Sequence, residues 1–188
     1  MMTMQENVAG LEHKFCRLGD QVKITDGTGI EGYASLFGVP DQGGDIVEPG
    51  AYRASLKALR ESGRRVKMLW QHDPAQPIGI WDEVRETERG LYVKGRILTD
   101  VERGREAAAL IGAGAIDGLS IGYRTKKAHK DGKGRRLLAE LELWEVSLVT
   151  FPMLPQARVG AKGDTPEVEA LRELAGVFET ARRMLARD

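Results

Sequence analysis

Residues 118–152 read GLSIGYRTKKAHKDGKGRRLLAELELWEVSLVTFP. Two runs rich in branched and aromatic side chains, Leu119 to Ala128 and Leu137 to Phe151, flank the turn-forming stretch Lys130-Asp131-Gly132-Lys133-Gly134. That is the pattern of a long β-hairpin. Upstream, Val66 to Trp70, Ile78 to Val84 and Gly90 to Leu98 are strand-like, the last two joined at Glu88-Arg89-Gly90. Further back, Val22 and Ile24, a turn at Asp26-Gly27, then Ile30, Tyr33, Leu36 and Phe37 read as a second hairpin. Two helices interrupt the strands. One spans residues 51–62, with Tyr52, Leu56 and Leu59 along one side and Gly63 as its stop. The other starts at a capping box formed by Thr99 and Glu102, runs through Ala107 to Ile111 and ends among Gly112 and Gly114. Strands outnumber helices throughout, so the expected fold is mainly β (α+β), a closed or nearly closed antiparallel β-barrel with short peripheral helices.

Three segments are expected along the chain: a flexible leader at 1–20, a barrel domain at 21–160, and a linker with a C-terminal amphipathic helix at 161–188. The linker is Ala161-Lys162-Gly163-Asp164. The helix is capped by Asp164 or Thr165, carries Pro166 in its first turn and repeats Leu171, Leu174, Phe178, Ala181 and Leu185 along one stripe. That stripe suits packing onto the barrel or a role in assembly; homo-oligomerisation stays open.

The chain has 188 residues, enough to bury a core without staples. Its 28 basic and 28 acidic residues cancel, so its overall charge draws it neither to nucleic acid nor to an anionic membrane. One cysteine, Cys16, excludes an internal disulfide framework and a cysteine-rich zinc site. No basic, apolar leader and no long apolar span is present, and the expected setting is a reducing, cytoplasmic one with no cofactor or metal.

Three residues stand out chemically. His72 follows the apolar run Met68-Leu69-Trp70 and precedes Asp73-Pro74, which places an imidazole where a buried strand turns. His13 and His129 fall in the leader and beside the hairpin tip. Ser120 lies in Gly118-Leu119-Ser120-Ile121-Gly122, a Gly-x-Ser-x-Gly pattern. The α/β-hydrolase elbow that shares this pattern needs a strand, a sharp turn and a helix, with acid and histidine following the serine. Here a β-like run follows the serine, so that reading is rejected, while the two glycines leave Ser120 uncrowded for a nucleophile's work. Glu145 continues the face of Leu141 and Leu143 in an apolar strand, where a carboxylate is costly unless something pairs with it. An imidazole is a suitable partner, and the set would then run His, Ser, Glu in chain order. Each residue also has a structural reading: a satisfied core histidine, an incidental serine in a glycine-rich strand entry, a glutamate paired to an arginine at a sheet edge.

The segments that carry these residues resemble a known family. Gly32-Tyr33-Ala34-Ser35-Leu36-Phe37, Asp45-Ile46-Val47, Pro49-Gly50-Ala51-Tyr52, Leu69-Trp70-Gln71-His72-Asp73, Gly118 to Tyr123 and Trp144 to Pro152 together resemble the prohead proteases of tailed phages and related gene transfer agents, which are similar to the herpesvirus assemblins. The resemblance implies that Ser120 is a nucleophile, His72 its base and Glu145 the third member. It implies a serine endopeptidase that cleaves scaffold or capsid-protein segments, and sometimes itself, within assembling proheads. The rival readings are a non-catalytic barrel used in capsid assembly or scaffold binding, a nucleic-acid module built on the basic hairpin Lys126-Lys127, Lys130, Lys133 and Arg135-Arg136, and a thiol enzyme using Cys16 and His13. The hairpin lacks interleaved aromatics, which argues against nucleic acid.

Overall fold

In a computed structural model of the chain, residues 28–41 and 43–150 are described in full, together with the backbone of three strands in the flanking segments. The strands are β1 (Glu12–Phe15), β2 (Leu18–Thr25), β3 (Gly29–Leu36), β4 (Ile46–Val47), β5 (Lys67–Trp70), β6 (Asp73–Glu86), β7 (Gly90–Ile97), β8 (Gly118–Lys130), β9 (Arg136–Val149) and β10 (Ala157–Gly160). Helix α1 (Arg53–Glu61) precedes β5, and α2 (Glu102–Gly112) links β7 to β8.

One curled sheet holds all ten strands in the order β1-β8-β10-β2-β3-β7-β6-β5-β9-β4, and β8 also pairs with β9. The expected hairpin is there: β8 and β9 run antiparallel from Gly118↔Val149 to Lys130↔Arg136. The sheet is an open half-barrel rather than the closed or nearly closed antiparallel barrel expected. Two observations account for this. The seam runs through β10, which meets β8 in the single pair Arg158↔Gly118, too little for a ladder. Moreover, three pairings are parallel, β10 with β2, β4 with β9 and β5 with β9.

Inside the curl lie Ile30, Val93, Ile78, Trp81, Leu119, Ile121, Val146 and Leu148, all buried. Trp81 Nε1 donates to the Val146 carbonyl at 3.2 Å, so the interior grips β9 midway along its length. On the edge of β9 away from β8, between the β4 and β5 pairings, Ala51 just before α1 and Ser55 within it satisfy the backbone. Leu141 N donates to the Ala51 carbonyl at 2.8 Å, and Leu143 N donates to Ser55 Oγ at 2.9 Å.

Three smaller points of local structure follow. Residues 12–15 and 18–20, expected to be leader, are strand, and β1 pairs with β8. Thr99 and Glu102 form no capping box, because α2 begins at Glu102 with Val101 as its N-cap and no side-chain cap. The basic hairpin is matched by acids: Lys126 pairs with Glu142, Lys127 with Glu140, Arg135 with Asp131 and Arg136 with Asp45. The linker and C-terminal helix expected at 161–188 lie outside the described residues. No helix among the described residues is long and apolar enough to cross a membrane.

Candidate active site

Register places the site residues in two rows across three strands. Ser120 of β8 pairs with Ser147 of β9, which pairs with Leu69 of β5; two residues along, Gly122 pairs with Glu145, which pairs with Lys67. Between the rows, Ile121, Val146 and Met68 pack into the core. Side chains alternate across a strand, so Ser120, Ser147 and Glu145 share the opposite face. Even there they are covered: Ser120 and Ser147 have no exposed surface and Glu145 is 5% exposed.

His72 reaches this face through a tight turn. β5 ends at Trp70, β6 begins at Asp73, and Trp70 and Asp73 are themselves paired. Gln71 and His72 between them have φ of 52° and 64°. Two consecutive positive φ values suit a two-residue hairpin turn, and outside glycine they are strained enough to need anchoring. The anchors are on the end of β9. Gln71 N donates to the Leu148 carbonyl at 2.9 Å, Gln71 Nε2 donates to Thr150 Oγ1 at 2.7 Å, and His72 N donates to Ser147 Oγ at 3.1 Å. This is where the parallel β5–β9 pairing matters, since it brings the end of β5 beside Ser147 and Leu148.

The anchored turn lays the imidazole between the other two groups. His72 Nδ1 is 2.5 Å from Glu145 Oε1, and His72 Nε2 is 2.5 Å from Ser120 Oγ. An ionised carboxylate only accepts, so Nδ1 carries the ring proton toward Glu145 and Nε2 is left to accept from the Ser120 hydroxyl. The second carboxylate oxygen, Oε2, accepts from Ser147 Oγ at 2.6 Å. The three residues singled out in the sequence are thus brought together. Of the other histidines, His129 sits 3.5 Å from Glu48 on the basic hairpin and His13 lies on β1; Cys16 is outside the described residues.

The sequence profile of the caudovirus prohead serine proteases matches residues 19–170. The chain belongs to that family. It is 33% identical over 148 residues to the prohead protease of Enterobacteria phage HK97, covering 77% of this chain and 64% of that one. It is 30% identical over 126 residues to the prohead protease of Escherichia phage T5, covering 65% and 57%. The matched region therefore spans less than two thirds of the length of each of these relatives, 64% and 57%. Among solved structures, the capsid assembly protease of bacteriophage T4 shares the fold, with a TM-score of 0.60 at 18% identity over 76% of this chain and 98% of that one.

Two features of this site escape a reading of the sequence. Ser147 accepts from the His72 backbone and donates to Glu145, tying the turn to the acid. Gly122 leaves the space in which Glu145 lies: a Cβ there would sit 2.1 Å from Glu145 Oε1. The second glycine of the Gly-x-Ser-x-Gly pattern thus serves the carboxylate across the ladder rather than the serine beside it.

The chain beyond the turn is fixed by Asp73. Its carboxylate accepts from Gln76 Nε2 at 2.5 Å and from Ala75 N at 2.8 Å. Those bonds, the Gln76 amide foremost, hold its carboxyl below the ordinary carboxylate range. A depressed folded value means the contribution is present above the unfolded value and is lost as pH falls through the folded one. The Ala75 amide is therefore expected to stay protected from hydrogen exchange through the ordinary carboxylate range and to lose protection only as pH falls below that range. In Asp73→Ala the protection is absent at every pH, which NMR-detected exchange would read.

Proposed function

We propose that the chain is a serine endopeptidase that cleaves capsid-protein or scaffold segments within assembling phage proheads, with Ser120 as nucleophile, His72 as general base and Glu145 as the group that orients the base. The observation that carries the reading is the unbroken line from Ser120 Oγ through His72 Nε2 and Nδ1 to Glu145 Oε1. Family membership supports the reaction class, and the names of the relatives, two prohead proteases and a capsid polyprotein of Pseudomonas phage PAJU2, support the substrate class.

The chemistry follows from that line. Ser120 Oγ attacks the scissile carbonyl as its proton passes to His72 Nε2, and Glu145 stabilises the imidazolium that forms. The imidazolium then gives its proton to the departing amine as the peptide C–N bond breaks, leaving an acyl ester on Ser120. Water, deprotonated by the same nitrogen, hydrolyses that ester and returns the proton to Ser120. The buried start of β8, Gly118 to Tyr123, and the anchored Gln71-His72 turn keep the reacting groups on rigid backbone, as preorganised catalysis requires.

The test is co-incubation with a phage major capsid protein that carries its scaffold segment, followed by mass spectrometry of the fragments. Discrete cleavage that a serine-directed fluorophosphonate blocks, with the label on Ser120, is the expected result. Intact capsid protein that nonetheless co-assembles with the chain would instead favour a non-catalytic assembly factor.

Ser147 acts in this scheme as a positioning residue. Ser147→Ala strips a donor from Glu145 and removes the acceptor of the part-buried His72 N–H. We expect kcat to fall by about 10- to 100-fold with KM nearly unchanged, and stability to fall by about 1–3 kcal/mol. Ser147→Thr keeps the hydroxyl and should recover part of kcat; steady-state kinetics on a capsid-derived peptide separates the two variants.

A further inference from the structure

β1 is the terminal strand of the sheet, and the strand it lies on is the one that carries the serine. Antiparallel register sets Phe15 opposite Ser120, Lys14 opposite Ile121, His13 opposite Gly122 and Glu12 opposite Tyr123. The other edge of β8 is filled by β9, which bears Glu145 and Ser147, with β5 and the His72 turn beyond. The imidazole therefore approaches Ser120 from the β9 side. A peptide carbonyl that is to meet Ser120 Oγ away from the imidazole comes along the opposite edge, where β1 lies. Ser120 itself has no exposed surface.

We propose that the β8 edge at residues 120–123 is the substrate-binding edge, and that β1 occupies it as an intramolecular stand-in for substrate. The partner that fits is an extended, otherwise unstructured polypeptide segment, which would pair antiparallel with β8 through its main chain after β1 leaves. β1 is suited to leave. It has four residues and a ladder on one side only, which puts it at the low-stability end of the fold. An incoming segment binds with its intrinsic affinity multiplied by the fraction of molecules whose edge is vacant, so β1 sets the threshold for substrate. Cleavage would then be slow on dilute peptides and faster in a crowded shell, where local substrate concentration is high. The inference rests on Ser120 being the nucleophile, and its test separates binding from chemistry.

The test uses the full chain with Ser120→Ala, so that nothing is cut, and a fluorescein-labelled peptide copying residues 10–17 with Ser in place of Cys16. In a companion chain, His13→Pro and Lys14→Pro remove adjacent donors from β1, which disables strand pairing whichever of the two faces β8. The expected result is peptide binding at least about 10-fold tighter to the proline chain by fluorescence anisotropy. Equal, weaker or absent binding to a folded proline chain overturns the proposal. If circular dichroism shows that the proline chain does not fold, hydrogen exchange on the Ser120→Ala chain decides. Excess peptide should strip protection from the amides of residues 12–15 while those of 120–123 stay protected, and β1 amides that remain protected at saturating peptide overturn it. With Ser120 restored, failure of both chains to cut capsid protein despite the predicted difference in peptide binding would sink the protease reading and leave the edge assignment standing.

Discussion

Ser120→Ala should abolish cleavage of the capsid protein, lowering kcat by about 10⁴-fold or more, while the variant melts within a few degrees of the parent. The size follows from the proposed mechanism: without Oγ no acyl ester would form, and only whatever binding and electrostatic stabilisation the site gives to direct attack by water would remain. The stability should hold because the change deletes one oxygen without altering the backbone or the apolar interior beneath it, where Leu119 and Ile121 pack. Glu145→Gln makes the informative contrast. Its amide can still turn an oxygen toward His72 Nδ1 and an amino group toward Ser147 Oγ, so orientation survives while the negative charge is lost. We expect kcat lower by about 10²–10³-fold, clearly short of the alanine variant. A glutamine variant as active as the parent would reduce Glu145 to a structural acid, and a serine variant that still cuts would remove Ser120 from the mechanism.

The glutamine contrast depends on Glu145 having three tasks at once. One oxygen faces His72, the other accepts from Ser147, and the carboxylate stem passes over Gly122. Ser147 in turn holds the His72 backbone, so the acid and the strained turn are supported by the same hydroxyl. Removing any one member loosens the others, and effects of paired substitutions among Ser147, Glu145 and Gly122 should be far from additive.

What the sequence disclosed and what it hid divide along physical lines. Glu145 was visible because a carboxylate in Leu-Glu-Leu-Trp-Glu-Val-Ser-Leu-Val interrupts an apolar pattern at a cost that demands a partner. Ser147, two residues on, was not visible: a serine hydroxyl in such a strand costs little and disturbs no periodicity. His72 was legible as an imidazole at a strand end, but its positive φ was not, since the turn is imposed by bonds from Leu148, Thr150 and Ser147, about 75 positions away. The parallel β5–β9 pairing is non-local in the same way, and hairpin grammar, which reads neighbours in sequence, defaults to antiparallel partners. β1 was missed because four residues are too few to show alternation, and its strand state is set by the β8 edge it meets. Closure of the barrel was overestimated because strand number was countable in the sequence, whereas the single-pair seam at Arg158↔Gly118 was not.

Gly122→Ala tests the arrangement most sharply, because it adds one methyl group and touches no reacting atom. The new Cβ would lie 2.1 Å from Glu145 Oε1, 2.8 Å from Cδ and 2.9 Å from Cγ. Real Cβ atoms essentially never come that close to a neighbour, and Glu145 is 5% exposed with both oxygens engaged, so the carboxylate has no cheap alternative position. Either Glu145 swings away from His72 or the β8–β9 ladder opens at the Gly122↔Glu145 pair. The first outcome disables the base and the second moves Ser120, and both lower kcat, by about 100-fold or more, with a stability loss of about 1–3 kcal/mol. The cause can be isolated by a double-mutant cycle. In a Glu145→Ala background the methyl meets empty space where the carboxylate stood, so Gly122→Ala should there cost less than about 1 kcal/mol by urea denaturation. A full cost in both backgrounds would mean that Gly122 is needed for the strand itself, and the link between the glycine and the carboxylate would fall.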